Sequence, residues 1–260
     1  MAGLLLGLVA GFMGGLVGVG GGVIMTPLMT EILKFRQQEA QGTSLVAVVF
    51  TALAASCLYF LHGSVNIPFA ILLAGLALCT VRLGASYGNL LPEYKLKRCY
   101  GVLLLFVAVL LLAKPYLPHI LDESSPSWMR WSLLVIIGLS TGFISGMMGV
   151  GGGTFMVPMM VLFAGISQVV AQGISLLSMI PASALGAWTH WKMGNTRVEI
   201  IPGLIAGVLV GAYGGGSFAH RMPEQALRVA FALLLAYTAL RYLRAKKPVP
   251  AQTSCNKKGG

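Results

Sequence analysis

GVGGGVIMTP, Gly18 to Pro27, interrupts an apolar run with four glycines and a proline. Further along, Gly149 to Pro158 reads GVGGGTFMVP. The two prolines stand 131 positions apart (158 − 27), about half of the 260-residue chain. Sliding the chain by that offset superposes its halves without a gap. AQGTSL (Ala40–Leu45) falls on AQGISL (Ala171–Leu176), Gly63 on Gly194, GAS (84–86) on GGS (215–217), and Pro92-Glu93 on Pro223-Glu224. A register held across half a chain marks an internal duplication. The organisation read from it is a first repeat over residues 1–118, a polar linker over 119–130, a second repeat over 131–245 and a basic tail over 246–260.

Composition names the solvent. Hydrophobic residues make up 57% of the chain and charged residues only 10%, and mean hydropathy is +0.83. Soluble domains average about 25% charged residues, so this chain cannot build a water-facing surface and its partner is the lipid bilayer. Apolar stretches such as 40–61, 171–188 and 200–218 approach or exceed the ~20 residues of a bilayer crossing. The apolar start, Met1 to Val17, lacks a basic leader and runs straight into the first glycine motif, so it reads as a retained helix. Cys57 and Cys79 fall in apolar segments and read as small core residues. None of the four cysteines has metal-ligand spacing, so no metal and no cofactor is expected.

The formal charge of +11 does not point to nucleic acid, because the basic residues sit in short segments between apolar runs. If each glycine-broken segment enters and leaves on one side and three crossings follow it, Lys34, Arg36, Lys95, Lys97, Arg98, Lys192, Arg197, Arg241, Arg244 and the basic tail share one face. Lys114, Arg130, Arg221 and Arg228 then fall on the other, beside Asp122, Glu123 and Glu224. Basic loops are cytoplasmic. The expectation is an all-α, multi-pass plasma-membrane protein, in the manner of a bacterial inner membrane, with a cytoplasmic C-terminus and two inverted repeats. In each repeat a broken segment, either re-entrant or a pair of short crossings, precedes three transmembrane helices.

A broken helix survives in hydrocarbon only where protein encloses it or it lines a cavity. The N–H groups of Gly20, Gly21 and Gly22, and of Gly151, Gly152 and Gly153, would then face one another from two half-helix N-termini. Such ends carry positive potential and exposed donors, which suit a small anionic substrate. Close helix packing is the alternative use of membrane glycines. GxGxxG fails because position 23 is valine, and no lysine completes a Walker loop, so no nucleotide drive is written here. The repeated polar cluster Gln41, Thr43, Ser44 with Gln172, Ser175 and Ser178 supplies further donors, or else ordinary interhelical hydrogen bonds. His190 is a candidate proton carrier because imidazole titrates near neutrality. Its counterpart at the offset is Tyr59.

The duplicated set, GVGGG with proline five residues beyond its last glycine followed by AQGTSL, resembles the TauE/SafE sulfite-exporter family. The resemblance covers nearly the whole chain. It implies a secondary permease for sulfur-containing anions such as sulfite, sulfoacetate or thiosulfate. It places the family's glycine–proline motif at Gly18, Gly20, Gly21, Gly22 and Pro27, and at Gly149, Gly151, Gly152, Gly153 and Pro158. Its Gly-Thr-Ser motif matches Gly42, Thr43 and Ser44; in the second copy Ile174 replaces the threonine, which implies an asymmetric site. The rival readings are an anion-selective channel and a membrane-embedded enzyme. The second would need a nucleophile–base pair or metal cluster that the sequence does not display, so no catalytic residue is expected.

Overall fold

The computed structural model describes residues 2–90, 93–113, 127–148 and 151–244. These fold into ten α-helices: α1 (Ala2–Val17), α2 (Gly22–Ile32), α3 (Gln37–Leu61), α4 (Ile67–Leu90), α5 (Glu93–Ala113), α6 (Ser127–Met148), α7 (Gly153–Phe163), α8 (Gln168–Lys192), α9 (Ile201–Arg221) and α10 (Glu224–Leu243). Among the described residues there is no strand, and five helices are long and apolar enough to cross a membrane. Residues 127–130 of the expected linker already belong to α6. The rest of that linker, Gly149 and the tail from residue 245 lie outside the described residues.

The duplication is visible element by element. α2 and α7 have 11 residues each, α3 and α8 have 25 each, and both pairs begin and end at the same offset. α2 and α7 also finish alike. The N–H of Phe35 reaches back to Met29 O and that of Ile166 to Met160 O, across a left-handed residue, Lys34 in one copy and Gly165 in the other.

Glycines fix which helices touch. α1 carries Gly3, Gly7, Gly11 and Gly15, one every four residues, and α9 carries Gly203, Gly207, Gly211 and Gly215 at the same interval. Residues four apart share a helix face, so each helix presents a strip of bare backbone. The strips meet. A Cβ built on Gly11 would lie 2.7 Å from both Cα and O of Val208, and one on Gly7 or Gly15 would run into the backbone of Leu204 or Ala212. Lipid offers no hydrophobic drive for helices to associate, so close backbone approach is what binds such pairs. Residue numbers rise together along the contact, so α1 and α9 run parallel. α6 and α4 form the corresponding parallel pair, with Thr80 Oγ1 donating to Leu139 O at 2.8 Å and Gly84 against Phe143.

α3 and α8 cross the centre in opposite directions. Gly42 near the start of α3 abuts His190 and Asn195 at the end of α8, Leu45 lies against Gly186, and Tyr59 bonds to Gln172. The start of α5 likewise lies against the end of α10, Gly101 beside Ala239 and Leu243. Both pairs join elements that correspond in the two halves.

The two ends of the bundle differ in charge. At the end where α3 begins, Arg197 pairs with Glu39 at 2.9 Å and lies over the Phe35 ring, and Arg241 pairs with Glu31. This basic face also holds Trp188 and Trp191, both exposed, with Lys192 over Trp188. Trp128 and Trp131 are exposed on the opposite face. Two tryptophan rims separated by exposed Ile71, Phe106 and Val210 describe a lipid-facing belt. The chain is a multi-pass membrane protein. Cys57 and Cys79 correct the reading as core residues: both lie on the exposed surface, within helices α3 and α4.

Candidate anion site at the junction of the glycine turns

α1 does not continue into α2. Gly18 N and Val19 N both donate to Gly14 O, at 3.0 and 3.2 Å, closing the helix. The chain then reverses, so that Gly21 lies against Ala10 O and Gly14 against Gly20 and Gly21. Met25 and Met29 of α2 share a buried cluster with Leu6 and Ala10 of α1. α1 and α2 are therefore an antiparallel hairpin, and at ~1.5 Å per residue α2 rises only about 16 Å, half a bilayer. Pro27 and Pro158, inside α2 and α7, each remove one further backbone donor from these short helices.

The turns at the two hairpin tips touch. A Cβ built on Gly153 would lie 2.8 Å from Val19 Cα, 2.9 Å from Gly18 O and 3.0 Å from Ser175 Oγ. Gly20 and Gly151 sit at the heart of the contact with φ of 75° and 83°, a left-handed geometry that glycine adopts without steric cost. Cβ atoms on either would meet Val48 and Met179, which correspond at the repeat offset and stand near the middles of α3 and α8. The first bonds of α2 run from Ile24 N and Met25 N to Gly21 O, and those of α7 from Phe155 N and Met156 N to Gly152 O. Everything N-terminal to them is the donor-rich end of a helix.

The expected site residues divide into three groups. Gly20, Gly151 and Gly153 are at the junction. Gly22 begins α2 and its carbonyl accepts from Thr26 Oγ1 at 2.9 Å. Gly21 and Gly152 flank the junction, but their Cα–H faces turn outward, toward Ala10 O of α1 and the Thr141 methyl of α6. A side chain at either would strike a neighbouring helix rather than the opposing turn.

The polar cluster is unequal in the two halves. Ser44 Oγ donates to Gln41 O at 2.9 Å and lies 3.1 Å from Thr26 Oγ1, and Gln41 is engaged as well. Thr43 is at the basic face, donating to Glu39 O at 2.7 Å and accepting from Arg197 N at 3.0 Å. In the second half, Gln172 Nε2 and Ser175 Oγ are fully buried without a hydrogen-bond partner, whereas Ser178 Oγ donates to Ser175 O at 2.9 Å, beside Met156 Sδ. Gln172, Ser175 and Met179 follow one another at helical spacing on the face of α8 that meets the turns. The stem of Gln172 lies on Gly18, and Ser175 lies on Gly153.

His190 is not among them. It stands at the end of α8, about 16 Å along the helix from Met179 at 1.5 Å per residue. Its Cβ abuts Gly42 and its Nδ1 is buried without a partner. Three residues at the junction escaped the sequence: Val48, Met179 and Tyr59. The first two are visible in hindsight one turn beyond Ser44 and Ser175. Tyr59 is fully buried, its Oη 3.0 Å from both Gly15 O and Gln172 Oε1, and its ring meets the edge of His220 at 4.5 Å.

Buried unpartnered polar groups and the starts of two short helices thus stand together deep in a lipid-facing bundle. Comparison with known proteins agrees with a transport role. The chain is 25% identical to a probable membrane transporter, YdhB, of Bacillus subtilis, over 92% of this chain and 96% of that one. It is 31% identical to a probable membrane transporter of Xylella fastidiosa over 65% of each. A segment covering 27% of the chain is 38% identical to 15% of a sulfite exporter TauE/SafE family protein of Arabidopsis thaliana. No solved structure matches. The family model described as sulfite exporter TauE/SafE matches residues 3–254, both halves of the duplication with both glycine turns, and the chain therefore belongs to that family of membrane transporters.

Proposed function

We propose that the protein is a secondary permease that carries a small sulfur-containing oxyanion, such as sulfite, sulfoacetate or thiosulfate, between the facing N-termini of α2 and α7. The observation that carries this reading is the contact of the two glycine turns beside buried, unpartnered donors at the crossing of α3 and α8. The sulfur chemistry follows the name of the family. The two halves act as inverted repeats. The antiparallel course of α3 against α8 supports this, because those helices correspond at the repeat offset. Two such halves can exchange roles and expose one central site to either side in turn.

The protein reconstituted in liposomes, without nucleotide, is expected to exchange labelled sulfite or thiosulfate saturably, faster when the same anion is present on the far side. A non-saturating conductance would make it a channel, and chemical change of the anion would make it an enzyme.

Orientation gives a second test. The basic face, and with it the C-terminal tail, is cytoplasmic in this reading. In a background with Cys57, Cys79, Cys99 and Cys255 replaced by alanine, a cysteine at Asn66 should react with an impermeant maleimide in intact cells. One at Gly194, an open position of the basic face, should react only after permeabilisation. The reverse pattern would invert the topology.

A further inference from the structure

The permease reading treats the two helix N-termini as equals, yet the side chains around them are not. Along one face of α8, Gln168, Gln172 and Ser175 are spaced i, i+4 and i+7. All three are fully buried, and Gln168 Nε2 and Oε1, Gln172 Nε2 and Ser175 Oγ lack hydrogen-bond partners. Each such group forgoes its hydration with nothing in return, which makes a run of them on one helix face a burden on folding. A ligand explains what folding does not. The run leads from the α8 end, where the Glu224 carboxylate accepts from Gln168 N at 3.2 Å, to the first residue of α7, where Ser175 Oγ faces Gly153.

We propose that this strip of α8, with the N-terminus of α7, is a one-sided track for a small oxyanion, and that Tyr59 is its positioning residue. The inference rests on the permease reading and adds which half does the binding and what chemistry it accepts. Gln172 Nε2 and the first N–H groups of α7 are donors and Ser175 Oγ can donate, so at the inner end of the strip a ligand with several acceptor oxygens is matched. Tyr59 Oη lies 3.0 Å from both Gln172 Oε1 and Gly15 O; donated to Gln172 Oε1, its one proton fixes the carboxamide by its oxygen and leaves the NH₂ for the ligand. In the first half the counterparts of Ser175 and Gln172, Ser44 and Gln41, are engaged within the fold. Ser44 is bonded to Gln41 O and lies beside Thr26, whose counterpart is the apolar Val157.

The test uses the full-length protein in detergent, titrated with sodium sulfite against sodium chloride and read by calorimetry and thermal unfolding, with exchange kinetics in liposomes. Gln172→Leu and Ser175→Ala should each weaken sulfite binding by about tenfold or more, the worth of a hydrogen bond to a charged ligand. Gln172→Leu should also raise the melting temperature of the sulfite-free protein, because the unpartnered Nε2 is replaced by hydrocarbon while Tyr59 Oη keeps Gly15 O as its acceptor. A merely structural glutamine would lower it. Ser44→Ala should change affinity less than about twofold, since its hydroxyl is engaged within the fold. Tyr59→Phe keeps the ring and loses only the hydroxyl. It should raise the KM for exchange several-fold with the maximal rate held. Equal losses from Ser44→Ala and Ser175→Ala would overturn the one-sided track, as would unchanged affinity in Gln172→Leu. Those results leave the permease reading intact, which fails if the wild-type protein shows no saturable exchange of the unaltered anion.

Discussion

Leucine at Gly11 is expected to abolish the folded, monodisperse protein, and alanine at the same position to lower its melting temperature by about 5–10 °C. Two effects of opposite sign compete at this position. Alanine is better than glycine in a helix interior by about 1 kcal/mol. Against that, the added carbon meets the backbone of α9 at 2.7 Å, where no rotamer can yield and the whole helix must move. Overpacking costs about 1–3 kcal/mol even where side chains can adjust, so packing wins. Where backbone meets backbone the cost passes the top of that range, leaving about 2–3 kcal/mol after the propensity gain, which corresponds to that drop in melting temperature in a chain of this size. Leucine would part α1 from α9 along several turns and remove the contact that holds the first hairpin in place. Gly75→Ala is the control: nothing lies within 4 Å of its added carbon, so the propensity term acts alone and the melting temperature should rise by about 2–4 °C. If Gly11→Ala and Gly75→Ala shift in the same direction, the glycine strips do not hold α1 to α9.

This pairing shows where the sequence was informative and where it fell silent. The four-residue glycine spacing of α1 and α9 is plain in the letters, but the partner of each strip lies almost 200 residues away and nothing local names it. The repeat was legible because duplicated turns must solve the same problem twice, and Gly20 and Gly151 need the same left-handed backbone. Hence the bounds of α2 and α7, and of α3 and α8, follow the 131-residue offset of the sequence. The direction in which a glycine faces was not legible, since it depends on φ and ψ. Gly21, which looked like a residue that meets the anion, turns its open side to Ala10.

Side-chain roles were readable only where composition fixed them. Gln172 and Ser175 were marked as donors, and their first-half counterparts were marked identically, because both copies read almost the same. What separates them is the bond of Ser44 Oγ to Gln41 O, with Thr26 beside it where the second half has the apolar Val157. Tyr59 was noticed only as the counterpart of His190. Its bond to Gln172 spans 113 positions and arises from the antiparallel crossing of α3 and α8. Cys57 and Cys79 failed for the converse reason. In lipid an apolar neighbourhood in sequence says nothing about inside and outside, since both faces of a helix are hydrophobic.

Alanine at Gly153 is expected to lower anion affinity and exchange by about 10- to 100-fold, and alanine at Gly152 to do far less. The two glycines are adjacent and neither has a positive φ, so backbone strain does not distinguish them. Their surroundings do. The carbon added at Gly152 meets the Thr141 methyl, a side chain that can rotate, and Thr141→Ser in the same chain should restore what is lost. The carbon added at Gly153 meets Val19 Cα at 2.8 Å and Gly18 O at 2.9 Å, so the opposing turn itself must retreat. Restoring an ordinary carbon–carbon distance of about 3.5 Å takes roughly 0.7 Å of movement. That displaces the α7 N-terminus from Ser175 and from the first turn together. Displacements near 1 Å in a set of convergent groups cost on the order of 100-fold. Calorimetric titration with sulfite, beside melting curves of the unliganded variants, separates the outcomes. A lowered melting temperature with wild-type affinity would make Gly153 a packing glycine like Gly11, and the contact of the two turns would then have no part in binding the anion.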